Sequence, residues 1–198
     1  GTALEIAETK RDQPLLMTIF RKYGFIKYSM GDFDESVKYY NKAIRIAQQL
    51  RDNDELASIY SALGDIYFES DDSKTALDYF TRVYNLAENG KIDGDDPTYS
   101  ISIAMYYRLT GDYKSAIDIY KKSTIQYKEE RLPRFESYSY SQLAATLVEK
   151  GDYYEALDAS RTGLGIANSL NLSKEKMDNY KILIAIYDSI GDYKKTYT

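Results

Sequence analysis

Carboxylates and phenols are the side chains with which this chain could do chemistry. It carries 31 Asp and Glu and 22 Tyr, yet no His and no Cys. Without imidazole or thiol there is no His general base, no Ser–His or Cys–His nucleophile and no imidazole metal ligand. Gly-x-Gly-x-x-Gly and Walker-type phosphate loops are missing as well. The acidic cluster Asp93 to Asp96 lacks the spacing of a calcium loop, which needs a further acidic ligand well downstream, and reads as a solvated turn. Asn171-Leu172-Ser173 is formally a glycosylation sequon, but Ser173 as a helix cap explains it better. Neither a catalytic residue nor a metal or cofactor site is expected.

One set of aspartates falls on a grid. Gly31-Asp32, Gly111-Asp112, Gly151-Asp152 and Gly191-Asp192 recur in phase, with Asp71-Asp72 where a fifth pair is due, at a step of 40 residues. A period this regular is the signature of a repeat architecture. Amphipathic runs precede and follow each pair; Leu56, Ile59, Tyr60, Leu63 and Tyr67, for example, share one helical face. Gly suits the residue just past a helix end, where φ is positive. Asp suits the N-cap of the next helix. Asp32 with Glu35 and Asp152 with Glu155 have capping-box spacing. Asp71 departs from the pattern, but Asp tolerates the left-handed region better than most residues. Each pair therefore predicts the tight turn of a helical hairpin.

Small residues keep the same phase: Ser36, Ala76, Ala116, Ala156 and Thr196 after the turn, and Gly24, Gly64, Ala104 and Ala144 before it, broken at Ile184. Such positions let two helices approach closely. Tyr40, Phe80 and Tyr120 follow the turn at a fixed distance, and Tyr67, Tyr107 and Tyr187 precede it.

Small residue, aromatic, Gly-Asp-Tyr/Phe, Ala, aromatic: this order resembles the tetratricopeptide repeat (TPR) over essentially the whole chain. The long unit is similar to those of bacterial regulators and kinesin-light-chain-like domains. The Trp early in the first helix and the closing Pro of the family pattern are lacking here. The resemblance implies an all-α, right-handed α-α superhelix, a solenoid of antiparallel hairpins.

Residues 1–198 are read as a single repeat domain, with units at about 12–51, 52–90, 95–131 and 132–171 and a truncated one at 172–198. Residues 1–11 read as the tail of a preceding repeat, and Gly1-Thr2 as a cloning scar. Helices are expected at about 14–30, 33–50, 53–70 and 73–89, from Pro97, up to Glu130, from Pro133, from Tyr153, and at 173–190. All three prolines, Pro14, Pro97 and Pro133, stand where the first helix of a hairpin begins and a missing N–H costs nothing. Residues 90–96 form the longest loop. Gly163 and Gly165 fall inside a helix; close helix approach accounts for Gly163, a deliberate soft spot being the alternative.

A net charge of −5 and a pI near 5.0 argue against a phosphate-backbone binder. No apolar run of about 18 residues is present, so no membrane span is expected. The tyrosines read as core residues with hydroxyls reaching the surface, or as a sticky inner surface. The resemblance makes the second reading specific: the first helix of each TPR hairpin lines a concave groove. By phase the groove residues are Arg21, Phe25 and Tyr28; Asp65 and Phe68; Met105 and Arg108; Tyr138 and Ser141; Lys181 and Asp188. Phe25 stands where chaperone-tail binders have a clamp Asn, and Asp65 adds negative charge, so a carboxylate clamp is not expected. The expected partner is a protein or peptide segment. The family resemblance implies a parent such as a bacterial sensor kinase or transcription factor, with a free-standing adaptor as the alternative.

Overall fold

In the computed structural model, which describes residues 3–191, every regular element is an α-helix. They are α1 (Ala3–Lys10), α2 (Gln13–Ser29), α3 (Phe33–Leu50), α4 (Asn53–Glu69), α5 (Ser73–Glu88), α6 (Pro97–Leu109), α7 (Tyr113–Glu129), α8 (Pro133–Lys150), α9 (Tyr153–Ser169) and α10 (Ser173–Ser189). The all-α class and the hairpin pairing expected from the repeat are what is found. Thr196, Asp192 and the Gly1-Thr2 start lie outside the described residues.

The hairpin turns work as the spacing predicts. Gly31, Gly111, Gly151 and Gly191 adopt φ of 76°, 85°, 92° and 72°, and Asp71 takes 60° in the same role. Asp32, Asp72 and Asp112 accept hydrogen bonds from the amides of Glu35, Thr75 and Ser115. Inside each hairpin the small residues let the helices close. A Cβ on Gly24 would lie 2.9 Å from the Tyr40 ring, and one on Gly64 only 2.4 Å from that of Phe80. Ser36 adds a bond from its hydroxyl to the Gly24 carbonyl at 2.8 Å. Gly163 is a further close approach, where a Cβ would lie 3.0 Å from Asn179 and Tyr140, whereas one on Gly165 would meet nothing within 4 Å.

Three local expectations need correction. Ser173 is not the cap of α10: the N-cap is Leu172, and no side chain caps that helix. The Asp152–Glu155 capping box does not form, because each carboxylate is taken by a lysine: Asp152 by Lys150 at 2.6 Å and Glu155 by Lys121 at 2.5 Å. Of the Asp32–Glu35 box only the Asp32 half forms, since Glu35 turns to Lys38 at 2.7 Å and the Asp32 amide donates to the Lys27 carbonyl.

The chain falls into two compact units, Gly1–Asp95 and Asp96–Thr198, parting in the loop at residues 90–96. In the first, α2 packs on α1 and α3, and α4 on α3 and α5. Its core holds Tyr40, Ile59, Leu63, Ile66, Phe80 and Val83. In the second, each helix from α6 packs on the next, and α8 also meets α10. Its core includes Met105, Tyr120, Leu147 and Ile186.

Candidate functional site

The first helices of the hairpins carry the positions singled out by the repeat phase. In the first unit these are α2 and α4. Arg21 reaches from α2 to Glu55 of α4, Nε to carboxylate at 2.9 Å, an ion pair without hydrogen-bond alignment. One turn on, Phe25 leaves 60% of its surface in solvent, against the usual tendency of Phe to be inside. Between them opens a cavity of about 220 Å³ lined by Arg21, Lys22, Phe25, Tyr40, Ser58 and Ala62. Burial pushes the Tyr40 phenol up to about 12, with the nearby Arg21 pulling down and Asp65 pushing up. Tyr40 is thus a neutral hydrogen-bonding group in this cavity at any physiological pH. Tyr28 donates to Glu69 of α4 at 2.6 Å and stacks on Phe33. Asp65 and Phe68 are half-buried on α4. All five residues therefore lie on two adjacent helices, and Arg21 and Phe25 share one cavity.

The second unit treats its positions differently. Met105 is fully buried on α6. Arg108 is buried too, and its guanidinium is fully engaged: Nε meets both oxygens of Glu149 at 3.1 Å, Nη2 meets Oε1 at 2.6 Å, and Nη1 donates to Gln142 at 2.9 Å. Burial alone would ease its proton off, but the Glu149 hydrogen bond reverses that and raises its pKa. On α8, Tyr138 is half-buried, while Ser141 is buried and accepts from Asn179 Nδ2 at 2.7 Å. Ser141 belongs to a buried polar set in which Ser137 donates to the Gly163 carbonyl and Ser160 to that of Asn179. On α10, Lys181 and Asp188 are exposed.

Two features escaped sequence reasoning. The connections between hairpins also turn through left-handed residues, Arg11, Arg51, Arg131 and Asn171, with φ between 52° and 57°. Their own 40-residue spacing was the available signal. The second feature is the set of glutamates that pair with the preceding first helix, Glu55 by charge alone and Glu69, Glu149 and Glu175 through hydrogen bonds. Glu69 and Glu149 are one repeat position, visible only once partners are known.

Tetratricopeptide-repeat profiles match residues 15–89 and 98–124. The chain belongs to the tetratricopeptide repeat family. A search of curated protein sequences finds no match. Among solved structures, this TPR chain is similar to BtubC from P. vanneervenii, at 19% identity and a TM-score of 0.67, over 98% of this chain and 81% of that one. A Rap protein complexed with Competence and Sporulation Factor superposes at 14% identity and TM-score 0.72, over 92% of this chain and 51% of that one. A STAND protein with a TPR sensor, from Pyrococcus horikoshii, gives 17% identity and TM-score 0.60, over 98% of this chain and 30% of that one. The chain therefore spans about half of the Rap protein and less of the STAND protein. At these identities the likeness concerns the fold, an α-solenoid whose general use is protein interaction. Among the described residues, no helix is long and apolar enough to cross a membrane.

Proposed function

We propose that this TPR chain is a non-enzymatic recognition module that holds a protein or peptide segment on the exposed faces of its first-of-pair helices. We place it as the sensing or interaction segment of a larger bacterial signalling or transcription-regulatory protein. The observation that carries the reading is the α2–α4 face: an exposed phenylalanine beside a cavity rimmed by a guanidinium and an ammonium. Large exposed apolar groups next to polar ones are the anchors of protein interfaces. Arg21, Phe25, Tyr28, Asp65 and Phe68 form that face in the first unit; Tyr138, Lys181 and Asp188 are the accessible candidates in the second. Met105, Arg108 and Ser141 lie beneath and hold their helices in place. The regulatory setting is supported by the Rap and STAND neighbours, one complexed with a factor and the other bearing a TPR sensor. The non-enzymatic reading is supported by the lack of His and Cys in a fold used for interaction.

The test is calorimetric titration of a peptide selected against the folded domain into the wild type, Phe25→Ala and Phe68→Ala. Central anchors cost about 1–2 kcal/mol or more when truncated. Wild-type affinity in both variants, together with weakening by substitutions on α3 and α5, would place the site on the other face.

A further inference from the structure

A second groove lies in the first unit, built by α3, α4 and the turn into α5 rather than by α2 and α4. Its volume is about 490 Å³. Phe33, Val37 and Tyr67 supply an apolar floor, and Asp34, Ser70 and Asp72 form the rim. Lys38 also borders it, but its ammonium is held by Glu35 at 2.7 Å. Asp34 is exposed and makes no ion pair with a described residue. Asp72 accepts from both the amide and the hydroxyl of Thr75, and a carboxylate still has lone pairs left for a further donor. The last carbonyls of α4 face this end of the helix and favour a cation; the N-termini of α3 and α5 oppose one, and the two aspartates offset them.

The corresponding turn of the second unit carries a lysine on this aspartate. Two repeat steps on, Lys150 stands at the position of Ser70 and Asp152 at that of Asp72. There the chain's own ammonium sits on the carboxylate, Lys150 Nζ to Asp152 Oδ2 at 2.6 Å. In the first unit the corresponding residue is Ser70, and Asp72, which takes the amide and hydroxyl of Thr75, makes no ion pair with a described residue. We infer that the α3–α4–α5 groove is a pocket for a lysine side chain of a protein partner, the aliphatic stem on Phe33, Val37 and Tyr67 and the ammonium between Asp34 and Asp72. Lysine suits both parts, since its stem buries on apolar surface while its head stays charged. The inference rests on the protein-recognition reading above but not on the α2–α4 face.

Chemical-shift titration with Nα-acetyl-lysine amide tests it, with Nα-acetyl-norleucine amide as the uncharged control. Saturable shifts are expected for the amides of residues 33–38 and 66–72 with the lysine probe and not with the control. Ser70→Lys, which supplies the second unit's own lysine, should weaken the probe by about tenfold or more by occupying the carboxylate. Asp34→Asn should weaken it about threefold, as fits an exposed charge pair. Both positions are exposed, so folding is retained. Non-saturating shifts, equal shifts with norleucine, or full affinity in Ser70→Lys would overturn the assignment. The peptide titration with Phe25→Ala reads the other face, so either reading can fail alone.

Discussion

Tyr28 in the first unit and Arg108 in the second occupy one repeat position, and each reaches a glutamate on the next first helix, Glu69 and Glu149. The first contact is one exposed phenol–carboxylate hydrogen bond. The second is a buried guanidinium forked onto a carboxylate and tied to Gln142. The same divergence runs through each unit. Aromatic rings crossed by cations edge the first: Lys42 lies over Phe20 and Tyr39, and Arg82 over Tyr60 and Tyr79. Buried serines and Asn179 knit α8, α9 and α10 in the second. The repeat dictates where helices meet, while the residues at the meeting points set how firmly they are held and what they leave exposed. The first unit leaves Phe25 in solvent beside one of two grooves; the second buries Arg108, several serines and Asn179 in internal hydrogen bonds while Phe135 and Tyr154 stand exposed.

Removing the glutamates in turn should widen this contrast most. Glu149→Ala strands a buried guanidinium, a loss that reaches 3–5 kcal/mol when both partners are buried. Because Glu149 itself is 41% exposed, about 2–3 kcal/mol is expected here. Glu69→Ala breaks an exposed bond and should cost less than about 1 kcal/mol. Denaturant melts give the totals. Amide exchange should place the Glu149 loss in α6–α8, and equal effects of the two changes would contradict the comparison.

Glycine replacements come next. Gly64→Ala drives a methyl into the Phe80 ring, and overpacking of this kind costs about 1–3 kcal/mol. Gly165→Ala meets nothing within 4 Å and should stabilise α9 by up to about 1 kcal/mol through helix propensity alone. Thermal melts that move both variants the same way would refute this.

How much of this was legible in the sequence divides along the same line. The turns, the caps at Asp32, Asp72 and Asp112 and the proline starts follow from backbone sterics, which act within a few residues, and the Gly24 and Gly64 crossings from the repeat phase that sets each glycine against the ring of Tyr40 or Phe80. The Asp152 box fails because lysines take both of its carboxylates, a competition settled in space, and the Ser173 cap fails because the helix starts at Ser173 itself, with Leu172 in the cap position. Among the phase-derived site residues, periodicity placed all on first helices, but it could not see depth. Phe25 and Met105 share a repeat position, yet one is exposed and the other buried, since what covers a position depends on its neighbours.

Smaller effects appear at the ends of the pH range. Tyr40 in the first unit and Tyr127 in the second are both pushed up to about 12, chiefly by burial. Their folded pKa exceeds the unfolded value of 10.0, so their contribution is complete below pH 10 and fades as pH rises toward 12. With a phenol of this kind in each, both units should soften together in alkali. A circular-dichroism titration showing one unit stable through pH 12 would contradict this. In acid, Asp72 is held below its usual range by the Thr75 hydroxyl and amide, and Asp112 likewise by Ser115. The folded pKa is lowered, so these exposed caps help above the ordinary carboxylate range and lose their effect as pH falls through it. Asp72→Asn and Asp112→Asn should flatten that acid dependence slightly in urea melts across pH 2–5.

The central claim, that partners are held on the faces of α2 and α4, is tested most directly by the footprint of a bound peptide. Amide hydrogen exchange of the complex with the selected peptide should show new protection in α2 around Arg21–Tyr28 and in α4 around Ser58–Phe68. The outward surfaces of α3 and α5 should be unchanged. Protection confined to α3 and α5, or spread evenly over both units, would contradict it.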